Sequence, residues 1–247
     1  MTEAVDALVA RMEDLLAPMA GSGDPARHFL GTYLRTTRAV GAAIDGGLFE
    51  DPGWVSAWDV DFAGLYLDAL EAHRRDPATA PGPWRAAFGT GAGARPEAHV
   101  LLGMNAHINV DLPQSLVRVI PPADFTDPVV RARRERDHER IDAVLAGRVA
   151  AEDLALQAAG SRRTVLDRMA AGVNRTSARV LLRESRRRVW ANATALHAAR
   201  LRGSEALAAR VAELEALSEA RVADLRRPGP VLLRLAVTGF GVTLPQP

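Results

Sequence analysis

Asn105, His107, Asn109 and Asp111 occupy every second position of A-H-V-L-L-G-M-N-A-H-I-N-V-D-L-P, residues 98–113, a stretch that is otherwise largely apolar. On a helix advancing about 100° per residue, Asn105 and Asn109 share one face while His107 and Asp111 share a nearly opposite one. An imidazole and a carboxylate one turn apart suit two kinds of chemistry. The carboxylate can hold one tautomer of the imidazole while the other ring nitrogen moves a proton. Alternatively, both can ligate one metal ion. We expect the first, with His107 carrying the proton and Asp111 orienting it. The competing reading makes all four core polar groups bonded to helix backbones or arginines, with Arg118 a candidate partner for Asp111.

Other residues could complete such a site. Tyr66 is one of two tyrosines, and a buried hydroxyl needs a partner that catalysis or substrate binding can supply. We therefore place Tyr66 with His107 and Asp111 as catalytic candidates. Asn105 and Asn109 are packing amides that could also orient a substrate carbonyl. With Trp58, Phe62 and Trp190 they form the expected substrate-binding set. His138 and Asp142 repeat the i, i+4 spacing, so His107, Asp111, His138 and Asp142 could supply two nitrogens and two oxygens to a metal-dependent hydrolase. Against that, His138 lies in R-A-R-R-E-R-D-H-E-R, residues 131–140, which reads as a solvated, salt-bridged helix face. His99 stands two turns, about 12 Å, from His107, too far to share one metal. His28, His73 and His197 read as ordinary surface or packing histidines.

Composition removes other chemistries. The 247 residues contain no cysteine and no lysine. That excludes thiol nucleophiles, disulfides, thiolate metal sites, Schiff bases and P-loop phosphate binding. No G-x-S-x-G, G-x-G-x-x-G or H-E-x-x-H pattern occurs. A net charge of +1, with Glu135, Asp137, Glu139 and Glu184 interleaved among the arginines, argues against a nucleic-acid partner. The first residues lack a basic segment followed by an apolar run, and no stretch reaches the roughly twenty apolar residues of a membrane span. The expectation is a cytoplasmic protein with a small-molecule substrate or ligand and no cofactor, nucleic acid or membrane partner.

The elements that must hold these residues read as helices. Val5, Leu8, Val9, Met12, Leu15 and Leu16 have amphipathic spacing over 5–19. Asp24-Pro25 starts a second helix reaching about Ile44, and Asp51-Pro52 starts a third carrying Trp54, Trp58, Phe62, Leu65, Tyr66 and Leu70 inward. A glycine-rich loop at 89–96 leads into the central helix, about 97–112, which Pro113 should kink or end. Further helices are expected at 127–145, at 164–201 with an interruption near Gly172 and Asn174, and up to about Arg226. Residues 228–247 read as an irregular tail, either a short helix or a strand-like arm. A helix that is apolar all round sits inside its neighbours. The fold class is therefore all-α, one domain over 1–247, seven to nine helices around a buried central one.

The chain also resembles an uncharacterised, mostly helical bacterial group, domain-of-unknown-function family 5995. The likeness rests on N-A-H-I-N-V-D-L-P at 105–113, F-A-G-L-Y-L-D-A-L at 62–70, the Phe-Glu-Asp-Pro-x-Trp turn at 49–54 and R-x-x-x-W-x-x-A-x-x-L at 186–196. It departs at 137–142, where the group's pattern has Asp-Phe and a later asparagine, and this chain has Asp137, His138 and Asp142. The resemblance implies a fold and a place for the site; it carries no reaction. The residues themselves point to an enzyme working by His/Asp acid–base chemistry in a buried apolar pocket. Cyclisation, isomerisation or hydrolysis in specialised metabolism would fit. The alternatives are a non-catalytic helical ligand-binding protein and the metal-dependent hydrolase.

Overall fold

The computed structural model describes residues 2–94, 96–158, 175–226 and 241–245. Every regular element among them is helical, so the protein is all-α. Helix α1 (Glu3–Ser22) stops at Gly23, whose φ of 71° is the left-handed conformation that ends helices and suits glycine. Helix α2 (Ala26–Asp45) follows Asp24-Pro25. Helix α3 (Pro52–Arg75) is capped by the Asp51 carboxylate, which accepts from the Trp54 N–H. A short α4 (Gly82–Phe88) precedes the central rod.

That rod is longer than expected and is not ended by Pro113. It comprises α5 (Pro96–Ala106), a π-helical turn (His107–Asp111) and α6 (Leu112–Val119). Proline lacks a backbone N–H, and its ring would collide with the carbonyl four residues back, here Asn109. The chain avoids the collision by widening: the Leu112 N–H bonds to the His107 carbonyl, five residues back. Pro113 then falls in the first turn of α6, where no donor is missed. Widened turns of this kind are rare and concentrate at functional sites. This one holds both His107 and Asp111.

Helices α2, α3 and α4 pack around the rod together with α9 (Arg175–Arg202) and α10 (Ser204–Arg226). The apolar core divides along it. Leu102 and Ala106 belong to one cluster with Phe29, Tyr33, Tyr66 and Trp84. Val110, Leu116, Val117 and Ile120 belong to another with Trp58, Trp190 and Leu196. The π-turn lies where the two meet, and Phe62 packs against both. Arg200 of α9 donates to the carbonyls of Val117 and Ile120, satisfying the C-terminal end of α6.

Outside this, α7 (Pro122–Thr126) leads into α8 (Pro128–Ala158), which runs beyond the expected end at 145. Its 131–140 stretch is not the wholly solvated face the charges suggested. Arg134, Asp137 and His138 are buried. The Asp137 carboxylate accepts from the N–H groups of Glu50 and Asp51 at 2.8 and 3.0 Å, and Arg134 lies 4.6 Å over the Trp54 ring. The helix buries residues three and four apart whatever their polarity; Arg134 and Asp137 found partners at the start of α3, and His138 found Trp190.

The expected interruption near Gly172 and Asn174, and the tail up to residue 240, lie outside the described residues. Residues 241–245 form no regular element and are pinned by side chains. Asn192 donates to the Val242 carbonyl at 3.0 Å and accepts from the Leu244 N–H at 2.8 Å. No helix among the described residues is long and apolar enough to cross a membrane.

Candidate functional site

His107 and Asp111 meet across the π-turn: Nδ1 of His107 lies 2.9 Å from Oδ2 of Asp111, with both residues buried. The Trp84 indole N–H, from α4, donates to the same carboxylate oxygen at 2.9 Å. Burial pushes the His107 pKa below its ordinary value, and the Asp111 contact opposes this. Burial pushes Asp111 up, against the hydrogen bonds from His107 and Trp84. Burial thus favours a neutral imidazole, and we assign its proton to Nδ1, facing the carboxylate. That leaves a lone pair on Nε2, which is buried and has no partner.

Aromatic rings enclose this imidazole. Phe62 stacks on it with centroids 3.7 Å apart and planes 7° from parallel. Tyr33 meets it edge-on at 4.6 Å, and Phe29, Trp84 and Tyr66 stand at 5.8, 6.0 and 6.1 Å. The hydroxyls of both tyrosines are buried and unpartnered, as is Oδ2 of Asp59. Burial lifts both tyrosine pKa values well above the usual range, so each hydroxyl keeps its proton and can donate it. Asp59 is pushed up to about 7 by burial. Buried polar atoms nearly always have partners, so the orphaned Nε2 of His107, enclosed by these rings, marks a place for a polar guest.

A cavity of about 200 Å³ adjoins the cage. Phe29 and Trp84 are shared: each contacts the His107 ring on one side and lines the cavity on the other. His73 and His99 also line it, each with one unpartnered buried ring nitrogen.

The structure thus brings together His107, Asp111, Tyr66 and Phe62, and sends the other sequence candidates elsewhere. Asn105 donates to the carbonyl and hydroxyl of Ser218 at 3.0 Å, and Asn109 donates to Asn105 Oδ1 at 2.9 Å. Asn109 Oδ1 accepts from the Val242 N–H, so these amides tie the rod to α10 and the C-terminal segment. They face away from His107. Trp58 and Trp190 flank His138 instead, and the Trp190 N–H donates to His138 Nδ1 at 3.1 Å. Asp142 pairs with Arg186 at 2.8 Å, and Arg118 with Asp61 at 3.1 Å, not with Asp111. The two His/Asp pairs do not converge. Among the described residues no three histidine or carboxylate side chains are placed to hold a metal.

Sequence reasoning missed Phe29 and Tyr33, and it offered Trp84 only as a tryptophan that could line a pocket, as it does here. Phe29 and Tyr33 carried a faint signal, being aromatics one turn apart on α2. Nothing local announced that Trp84 would bond a carboxylate 27 positions on.

Residues 5–228 match a family described as a family of unknown function (DUF5995), and the chain belongs to that family. No curated protein matches it, and neither does any solved structure.

Proposed function

We propose that this member of the family is a cofactor-independent enzyme in which His107 acts as general base and then acid on a small organic molecule. Asp111 holds the imidazole in its working tautomer and stabilises the imidazolium formed during turnover. One observation carries the reading: His107 has Nδ1 bonded to a buried carboxylate and Nε2 buried without a partner. Tyr33 and Tyr66, whose rings pack around it, carry protonated, unpartnered hydroxyls suited to donating to an oxygen that gains charge. Proton abstraction next to a carbonyl, or activation of water or a substrate hydroxyl, requires no more than this. Isomerisation, cyclisation and hydrolysis all begin with such a step.

A second reading, a ligand-binding protein without catalysis, draws on the position of Phe29 and Trp84. These rings stand between His107 and the cavity, which the imidazole itself does not line. In the catalytic reading the Phe29 side chain turns aside to join the two spaces.

The test uses the full chain with a panel of p-nitrophenyl esters, small lactones, and ketones assayed for deuterium exchange beside the carbonyl. We expect turnover on at least one class. His107→Gln should lower it on the order of 10²–10⁴-fold, the usual contribution of general acid–base catalysis. Asp111→Asn keeps an oxygen for Trp84 and His107 but removes the charge. It should shift stability by no more than about 1–2 kcal/mol while turnover falls steeply. Turnover that survives His107→Gln overturns catalysis by this pair. An Asp111→Asn protein that melts far below the parent makes the carboxylate a structural clamp.

A further inference from the structure

We propose that the cavity beside His107 is a binding site for a small, uncharged, hydroxylated aromatic molecule, a phenol by chemical class, whose hydroxyl donates to Nε2 of His99. This deepens the acid–base reading and rests on it for the ligand's being a substrate; the binding itself stands on the cavity.

Size comes first. A dry cavity of about 150 Å³ accepts a benzene ring, whereas drug-sized ligands need roughly 300–1,000 Å³. At about 200 Å³, this one suits a single ring with a small substituent. The walls then select the kind of ring. Phe29, Trp84 and Phe88 form an aromatic lining in which Trp84 and Phe88 stack at 5.2 Å. Offset and edge contacts with such rings favour an aromatic guest over an aliphatic one of equal volume.

Charge is excluded next. The charged side chains on the wall are Asp24 and Arg74, and they cancel each other in a 3.0 Å salt bridge. An anion or a cation would have to break that pair or enter a partly apolar space uncompensated. A neutral guest does neither.

The polar contact is specified by His99. Its ring is buried and stacked on His28 at 5.9 Å. Its Nε2 has no partner. Burial pushes the pKa of His99 down, so the ring is neutral, and in the tautomer protonated on Nδ1 its Nε2 is a free acceptor. A phenolic O–H is a strong neutral donor for it. His73 Nδ1, also unpartnered and on the same wall, offers a second polar contact for a ring substituent.

The rod sets the position of the partition. A Cβ on Gly103 would stand 2.5 Å from the Phe29 ring, so only glycine lets that ring lie against the rod between cavity and imidazole.

The test titrates the full-length protein with phenol, toluene, benzoate and benzylamine, following the Trp84 indole N–H resonance by NMR. That group bonds Asp111 while its ring lines the cavity. Phenol should shift the resonance saturably and bind at least tenfold more tightly than benzoate or benzylamine. Ala26→Phe, at the half-buried rim, should abolish binding. His99→Phe keeps the ring but removes its nitrogens, so phenol should weaken at least tenfold while toluene is unchanged. Should Ala26→Phe lower the melting temperature, the His99→Phe comparison decides alone. No saturable shift with phenol, equal binding of the charged probes, or unchanged phenol affinity in His99→Phe each overturns the proposal. Phenol binding without turnover of any panel substrate counts against the acid–base reading and leaves this site standing. Turnover without phenol binding overturns this site alone.

Discussion

Asp59 lies on α3, three residues before Phe62 and seven before Tyr66, with Oδ2 buried and unpartnered. Burial lifts its pKa from 3.8 to about 7. Between pH 4 and 7 the folded state therefore holds a proton that the unfolded state has released. Stability falls as pH rises through that window and stays low above it. Across the whole window the loss is about 4 kcal/mol, since each pH unit contributes roughly 1.36 kcal/mol. Asp59→Asn should remove this dependence and be the more stable protein at pH 8, with the advantage shrinking towards pH 4. Melting curves at pH 4, 6 and 8 check it; parallel curves for the two proteins would disprove it. His138 works in the opposite sense. Burial and Arg186 push it down to about 3, so its contribution is complete above pH 6.5 and is lost as pH falls towards 3. The two effects overlap between pH 4 and 6.5, where they oppose each other.

At the scale of elements, Gly103 in α5 and Gly64 in α3 are both helical glycines, and propensity alone favours alanine at each by about 1 kcal/mol. Their surroundings separate them. A Cβ at Gly64 meets nothing within 4 Å, while one at Gly103 meets the Phe29 ring at 2.5 Å. Gly64→Ala should therefore stabilise by roughly 0.5–1 kcal/mol. Gly103→Ala must displace a ring in a filled core, which costs about 1–3 kcal/mol and outweighs the propensity gain. Urea unfolding of both variants measures the difference. A stabilised Gly103→Ala protein would show that the Phe29 ring moves freely, which would also loosen the partition between cavity and imidazole.

Across the whole molecule, residues 241–245 close the fold by returning to the rod. Asn192 bonds Val242 and Leu244 as a neighbouring strand would, while Asn109, on the same rod as His107, accepts from Val242. Arg188 adds a bond to the Gly241 carbonyl at 2.6 Å. Val242 and Leu244 bury their side chains in the core cluster around α6. Asn192→Ala leaves a buried N–H and a buried carbonyl without partners, so it should cost about 1–3 kcal/mol per orphaned group. It should also expose the C-terminal segment to protease before the rest of the chain. Limited proteolysis followed by mass spectrometry reads this directly. Cleavage elsewhere first, with the tail still protected, would mean that the apolar anchors and the bonds from Asn109 and Arg188 hold it without Asn192.

What the sequence determined by itself was local. Helical periodicity and caps such as Asp51-Pro52 place α2 and α3 close to their observed limits, because those signals act within one or two turns. The His107–Asp111 pair is legible for the same reason: its two members are four residues apart on one helix. Pro113 reads as a kink or an end, since a lone proline does not reveal whether the chain will break or widen. Burial on all sides favoured widening. Everything that depends on which helix faces which was decided by tertiary packing. The Trp84 bond to Asp111, the enclosure of His107 by Phe29 and Tyr33, and the diversion of Asn105 and Asn109 into the scaffold span 4 to 133 positions of chain. The long-range partners among them leave no mark on spacing. A buried polar group advertises that it needs a partner, but only the packed structure supplies one, or, as at Nε2 of His107, leaves the place open.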